Sequence, residues 1–309
     1  MNDHLIPSLK IMLAMIIVGS SVVAGKLMVQ SFPVFLASEL RFLIATIIMV
    51  PLLIKMEGIP TINKSDFFIL FLQALSGVFL FNILMLYGLK LTTAMEGGII
   101  TSTIPAVTGG LAALFLKEKL TKNVSIGILL AVLGTLIINV FTSFSSIERS
   151  SSPILGNLLI FGAVIGEALF IIFGKFVAQR VSPLAISTIV SLFGAVLFLP
   201  FSLYESSQFK FKEVSMAEWG LVFYFGVVVT VIAFILMYQG VSKVPASTVG
   251  VLTGVLPISS VILSVLFLGE KLSFIHLIGS GFILTAILLI AKHPEKKVIR
   301  LDHIRKGDT

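Results

Sequence analysis

The chain has 309 residues, of which 57% are hydrophobic and 12% charged, with a mean hydropathy of +1.11 and a net charge of +7. A water-soluble domain carries about 25% charged residues to cover its surface, so this composition excludes one and makes lipid the solvent. There is no cysteine, which removes a disulfide framework, a thiolate metal site and a cysteine nucleophile. Six of the basic residues gather in the tail, at Lys292, Lys296, Lys297, Arg300, Arg305 and Lys306. That is the pattern of a cytoplasmic segment beside anionic headgroups, not of a nucleic-acid face.

A span needs about 20 mostly apolar residues. Ten such runs follow one another: 11–29, 34–54, 67–89, 97–116, 124–141, 154–173, 184–203, 219–237, 246–268 and 274–291. Lipid offers no partner to an unpaired backbone group, and the runs do not alternate as barrel strands do, so the spans are predicted to be helices. The expected fold class is thus an all-α integral membrane protein of ten helices. The first run has a single Lys10 before it and no small-residue cleavage site after it, which reads as a retained helix, not a signal peptide. The connections are too short to fold alone, so the chemistry belongs inside the bundle.

Lys and Arg divide unevenly between alternate connections. With the N-terminus inside, 15 of the 22 face the cytoplasm, six face out and Arg41 lies within the second span. Both termini are therefore expected in the cytoplasm, in a multi-pass protein of the cell membrane.

The chain also repeats. An ungapped shift of 152 residues lays 88–140 on 240–292 with 16 identities in 53 positions, among them Gly88 on Gly240, Pro105 on Pro257 and Glu118-Lys119-Leu120 on Glu270-Lys271-Leu272. Earlier positions match at a slightly shorter offset, Gly25-Lys26 with Gly174-Lys175 and Pro33 with Pro183. Each copy holds five spans, an odd number, so the second is expected upside down relative to the first. The expected division is a first repeat over 7–143, a second over 153–292 and a basic tail over 293–309. Inverted repeats suit a secondary transporter whose halves rock about a site at mid-membrane.

The ordered motifs resemble the EamA domain of the drug/metabolite transporter superfamily, in two copies. The likeness rests on Gly19 and Lys26, then Pro33 with Leu40-Arg41-Phe42, then Leu86-Tyr87-Gly88-Leu89 with Thr93-Ala94. It continues through Pro105, Leu116-x-Glu118-Lys119-Leu120 and Gly127, and the second copy offers Gly174-Lys175, Pro183, Tyr238-Gln239-Gly240, Ala246, Pro257, Gly269-Glu270-Lys271-Leu272 and Gly279. Val18 stands where the family often has Trp, and the second copy has no Arg equivalent to Arg41. The resemblance implies spans 1–4 and 6–9 around a central cavity, spans 5 and 10 outside it, and transport of small organic solutes, often outward.

Within that frame a few side chains stand out. Glu167 lies 13 residues after Ile154, about 20 Å deep at 1.5 Å per residue. A carboxyl at that depth is either a hydrogen-bonded packing group or a functional one, carrying a proton or binding a cationic solute. Arg41 is read as an anion ligand at a cavity mouth or as a structural ion pair near the outer interface, with Glu39 two residues before it. Asn82 is a ligand or an interhelical hydrogen-bonding group, with Gln73 a further polar handle in the same span. Glu96 opens the fourth span and suits a helix N-terminus. Tyr87 and Tyr238 near span ends suit interface anchors or cavity walls. Pro105 and Pro257 are expected to kink equivalent helices.

No catalytic motif, metal-ligand set or nucleotide loop is present, so no enzyme activity, resident metal or cofactor is expected beyond coupling to protons. The expected partners are a small-molecule substrate and the lipid bilayer, with no nucleic acid, in a monomer or homodimer. Export of amino acids, other metabolites or drugs is the leading reading. Uptake or exchange is the alternative; a membrane scaffold or an intramembrane enzyme would leave the repeat unexplained.

Overall fold

A computed structural model describes residues 5–116, 152–178, 180–241 and 255–291, with isolated positions between 122 and 137. All regular structure among them is helical. In chain order these are α1 (Leu5–Ser31), α2 (Val34–Met56), α3 (Lys64–Leu91), α4 (Ala94–Thr101), α5 (Ile104–Leu116), α6 (Pro153–Val177), α7 (Pro183–Gln208), α8 (Met216–Gly240), α9 (Val255–Leu268) and α10 (Phe274–Ala291). Six of them, α1, α2, α3, α6, α7 and α8, are long and apolar enough to cross a membrane. Glu118 and Lys119 lie outside the described residues, as do most of the fifth expected span and the first part of the ninth.

Local chemistry sets the helix starts. Asn63, Thr93, Ser182 and Ser215 each accept a hydrogen bond from a backbone N–H three residues on, which occupies a donor that the first turn leaves free. Proline opens α6 and α7, where its missing N–H costs nothing.

Three expected helices are not regular α-helix throughout. The third and eighth spans hold π-helical segments, Leu75–Leu80 and Tyr224–Ile232. The fourth is two helices, α4 and α5, separated at Ser102–Thr103. The hydroxyls of Ser102 and Thr103 donate to the carbonyls of Ile99 and Ile100, and Pro105 follows within the first turn of α5. The interruption thus precedes the proline, where a restricted backbone turns away from helix. Pro105 thus opens a helix instead of bending one; Pro257 lies in α9, and the stretch before Val255 falls outside the described residues.

The helices pack in pairs. The most extensive pairing joins α2 to α7; α3 lies on α6, α1 on α8, α1 on α9, α4 on α9, and α4 with α5 on α6. Glycines let two of these pairs close up. A methyl on Gly88 of α3 would sit 2.5 Å from Ile160 and 2.9 Å from the Gly156 carbonyl of α6. A methyl on Gly240 of α8 would sit 2.4 Å from Ile11 and 2.9 Å from the Pro7 carbonyl of α1. Backbone cannot retreat as a flexible side-chain end can. Gly88→Ala is therefore expected to lower the unfolding temperature in detergent, at a cost of about 1–3 kcal/mol. Gly220→Ala, with nothing within 4 Å of the added carbon, is expected to be neutral or to gain up to about 1 kcal/mol of helix propensity.

Candidate functional site

The centre of the bundle gathers polar side chains from four helices. Arg41 of α2 is 8% exposed. Its Nε–H donates to Thr230 Oγ1 of α8 at 2.6 Å and its Nη1–H to Asn82 Oδ1 of α3 at 2.9 Å. Asn82 in turn donates to the Val78 carbonyl, and Thr230 to the Phe225 carbonyl five residues back. Both of those carbonyls belong to, or lie within, the π-helical segments. One guanidinium therefore holds α3 and α8 together where each departs from α-helical winding, a feature that π-segments frequently mark at functional sites. The rings of Phe42 and Phe225 lie 4.8 and 5.3 Å from the guanidinium carbon and add cation–π attraction.

Glu167 of α6 is half-buried, and among the described residues its carboxylate makes no hydrogen bond. Its charge acts on Arg41 and on the Tyr238 hydroxyl of α8. Tyr238 accepts from Gln73 Nε2 at 2.9 Å, and the same nitrogen donates to the Phe170 carbonyl at 3.1 Å. A cation, a carboxylate, two amides and two hydroxyls thus share one apolar interior, where fields are strong and unpaired groups costly.

The structure brings together five of the residues singled out by sequence, Glu167, Arg41, Asn82, Gln73 and Tyr238. Arg41 bonds to side chains of α3 and α8 and not to Glu39, and Tyr238 is buried among helices. Thr230 was not anticipated; it is the lone polar residue between Tyr224 and Tyr238, a signal of the same kind as Asn82. Glu39 is buried too, with Oε2 lacking a hydrogen-bond partner.

Glu96 and Tyr87 lie elsewhere. Glu96 accepts from the Thr92 hydroxyl at the start of α4, near the Lys26 ammonium, which itself donates to the Leu89 and Thr92 carbonyls. Glu270 completes this cluster by accepting from the N–H groups of Ala94 and Met95 at 2.9 and 2.7 Å, a carboxylate on a helix N-terminus. Tyr87 packs edge-on against Phe35 and under the Lys90 ammonium.

A many-helix apolar bundle with a charged, multi-helix polar centre is the architecture of a membrane transport protein. Comparison with known proteins gives the same class and makes it specific. Residues 5–140 and 154–292 each match the EamA-like transporter family, and the chain belongs to that family. It is 49% identical over 277 residues to the uncharacterized transporter YetK of Bacillus subtilis (strain 168), covering 89% of this chain and 84% of that protein. It is 26% identical to the uncharacterized transporter YyaM of the same organism, covering 88% and 89%. One solved crystal structure matches with a TM-score of 0.66 at 16% identity over 92% of this chain and 97% of the other, a likeness of fold. The protein is a multi-pass membrane transporter and not an enzyme.

The Arg41–Asn82 bond is expected to carry much of the cohesion of the centre. A double-mutant cycle with Arg41→Gln and Asn82→Leu, read by thermal unfolding in detergent, should give a coupling of about 1.5–3 kcal/mol, as for hydrogen bonds to charged groups.

Proposed function

We propose that the chain is a secondary transporter that moves small organic solutes, outward, across the cell membrane by alternating access, with ten spans in two inverted repeats of five and a solute site at Arg41 and Glu167. The observation that carries this is the convergence of α2, α3, α6 and α8, two helices from each repeat, on one charged centre. The pairings of helices support the inverted repeat. Where α3 lies on α6, α8 lies on α1, and the two glycine contacts correspond residue by residue: Gly88 to Gly240 at the shift of 152, and Gly156 and Ile160 to Pro7 and Ile11 at the shorter shift of 149. The two π-segments overlap under the same shift. Uptake or exchange remains the second reading for direction, because nothing about a central site distinguishes inward from outward flux.

Glu167 carries the assignment of the site, as a proton carrier or as the ligand of a cationic group. Glu167→Gln keeps size and hydrogen-bonding capacity and removes the charge. The variant is expected to reach the membrane at wild-type abundance and to lose solute transport in proteoliposomes, or to lose its dependence on pH. The assay is a panel of amino acids and cationic drugs with and without a proton gradient. Wild-type flux and wild-type pH dependence in the variant would make Glu167 a packing group.

Orientation is tested separately. In this cysteine-free chain, Ser150→Cys should react with an impermeant maleimide in intact cells, and Ser65→Cys only after permeabilisation. The opposite pattern would reverse the topology and put both termini outside.

A further inference from the structure

The two halves hold each other at the ends of the bundle as well as at its centre. Two acids, one at the start of α3 and one at the start of α8, do so at opposite ends. Lys10 near the start of α1 donates to Gln239 near the end of α8, and Lys26 near the end of α1 donates to the Leu89 and Thr92 carbonyls at the end of α3. The starts of α3 and α8 therefore face opposite ends of the bundle.

Asp66 is the third residue of α3. One of its oxygens, Oδ2, accepts from its own helix cap, Asn63 Nδ2, at 2.9 Å. The other, Oδ1, lies 2.8 Å from Arg180 Nη2, in the short turn between α6 and α7, as an ion pair without hydrogen-bond geometry, since that nitrogen donates to the Phe176 carbonyl at 3.0 Å. Glu218 is the third residue of α8. Its Oε2 accepts from the backbone and side chain of its own cap, Ser215, at 2.7 and 2.8 Å. Its Oε1 accepts from the Ser31 hydroxyl, at the turn between α1 and α2. Asp66 corresponds to Glu218 under the shift of 152, and Arg180 to Ser31 under that of 149. Each acid keeps one oxygen at home and extends the other to the opposite repeat.

A second acid grips each of the same two turns. Glu57 accepts from the Ser182 hydroxyl in the turn held by Asp66. Glu205, near the end of α7, accepts from the Leu36 N–H at 2.7 Å, just past the turn held by Glu218. A cleft opens beside each latch. One, of about 420 Å³, is lined by Thr61, Asn63, Asp66 and Arg180; the other, of about 390 Å³, by Ser31, Phe209, Glu213 and Glu218. The two ends thus share one design and differ in what answers the capping acid: Arg180 answers Asp66 at one end and a hydroxyl answers Glu218 at the other, where the cleft's own cation, Lys210, pairs instead with Glu213 at 2.9 Å.

We propose that Asp66 and Glu218 are paired latch residues that close the two ends of the transport path, and that Arg180 makes the Asp66 end the more firmly closed. This rests on the alternating-access reading and gives it a resting bias. What Arg180 adds is Coulomb attraction across the two halves to an acid that is 3% exposed, weakened by water and salt at the 54% exposed guanidinium; the Ser31 hydroxyl brings no charge to the other latch. On the proposed orientation the Asp66 end is cytoplasmic, so the resting path is closed to the inside.

The test uses the cysteine-free full-length chain in lipid nanodiscs, without any solute. Leu70 and Val222 lie one turn beyond Asp66 and Glu218 and are 0% and 1% exposed. The maleimide labelling rates of Leu70→Cys and Val222→Cys report the opening of each end. Arg180→Gln is expected to raise labelling at Leu70→Cys by about two- to fivefold, the range of a partly exposed ion pair, and to lower it at Val222→Cys. Arg180→Lys keeps the wild-type rates. Ser31→Arg gives the other latch its cation and slows labelling at Val222→Cys. If Leu70→Cys does not fold, Val181→Cys in the same cleft replaces it. Unchanged labelling in Arg180→Gln overturns the proposal, and so does a rise at both ends together, which marks loosening without exchange. No solute enters the measurement, so its failure leaves the flux assays standing, and absent flux with reciprocal labelling would indict the transport reading alone.

Discussion

Lipid offers no hydrogen bond, and almost everything in this structure follows from that. A backbone or side-chain polar group inside the bundle must find its partner within the chain. The spans are helical for that reason. Where winding departs from the α-helix, a side chain stands by to cover the freed group: Thr230 at the Phe225 carbonyl, Asn82 at the Val78 carbonyl, Ser102 and Thr103 at the carbonyls before α5. Arg41 then uses the oxygens of Thr230 and Asn82 as acceptors. The irregular backbone and the buried charge thus satisfy one another, and neither would be tolerable alone.

That mutual dependence explains why the centre is assembled from both halves. A guanidinium has five N–H donors in a fixed fork, more than one neighbouring helix can answer. Arg41 takes one acceptor from α3 and one from α8, and the Glu167 carboxylate on α6 offsets its charge. Any relative movement of these helices must therefore either carry Arg41 along or exchange its partners. This makes the centre sensitive to whatever enters it: a solute with an acceptor or a charge competes for the groups that hold α3 and α8 together.

How much of this was legible beforehand depended on the range of the signal. Apolar runs gave the spans that are described, because hydropathy needs only composition over about 20 residues. Glu167, Arg41, Asn82 and Tyr238 were legible as misfits, polar groups at depths where lipid forbids them. Their convergence was not, because it depends on which helix lies on which, and nothing local in a sequence encodes that. For Arg41 the same holds: its distance from the helix start was known, but not that Thr230 and Asn82 faced it. The π-segments left no trace, since one extra residue in a turn barely alters an apolar pattern. Asp66, Arg180 and Glu218 sit in or beside polar connections, where charged residues are ordinary and draw no notice until a partner from the other half of the chain appears opposite.

On the inverted-repeat reading, the informative residues are those that break the symmetry. A perfectly two-fold bundle would present the same barrier to both sides of the membrane and would have no preferred resting state. The shared features, Gly88 with Gly240, the two π-segments and the capped starts of α3 and α8, then build a scaffold whose two arrangements are related by a two-fold rotation. The unshared ones, Arg41 against Ser191, Glu167 against Val18 and Arg180 against Ser31, decide between them. All three place a charge in one half and a neutral side chain in the other. Charge is the property whose energy varies most with surroundings inside a membrane, so three substitutions suffice to make the two arrangements unequal while the packing that permits both is left intact.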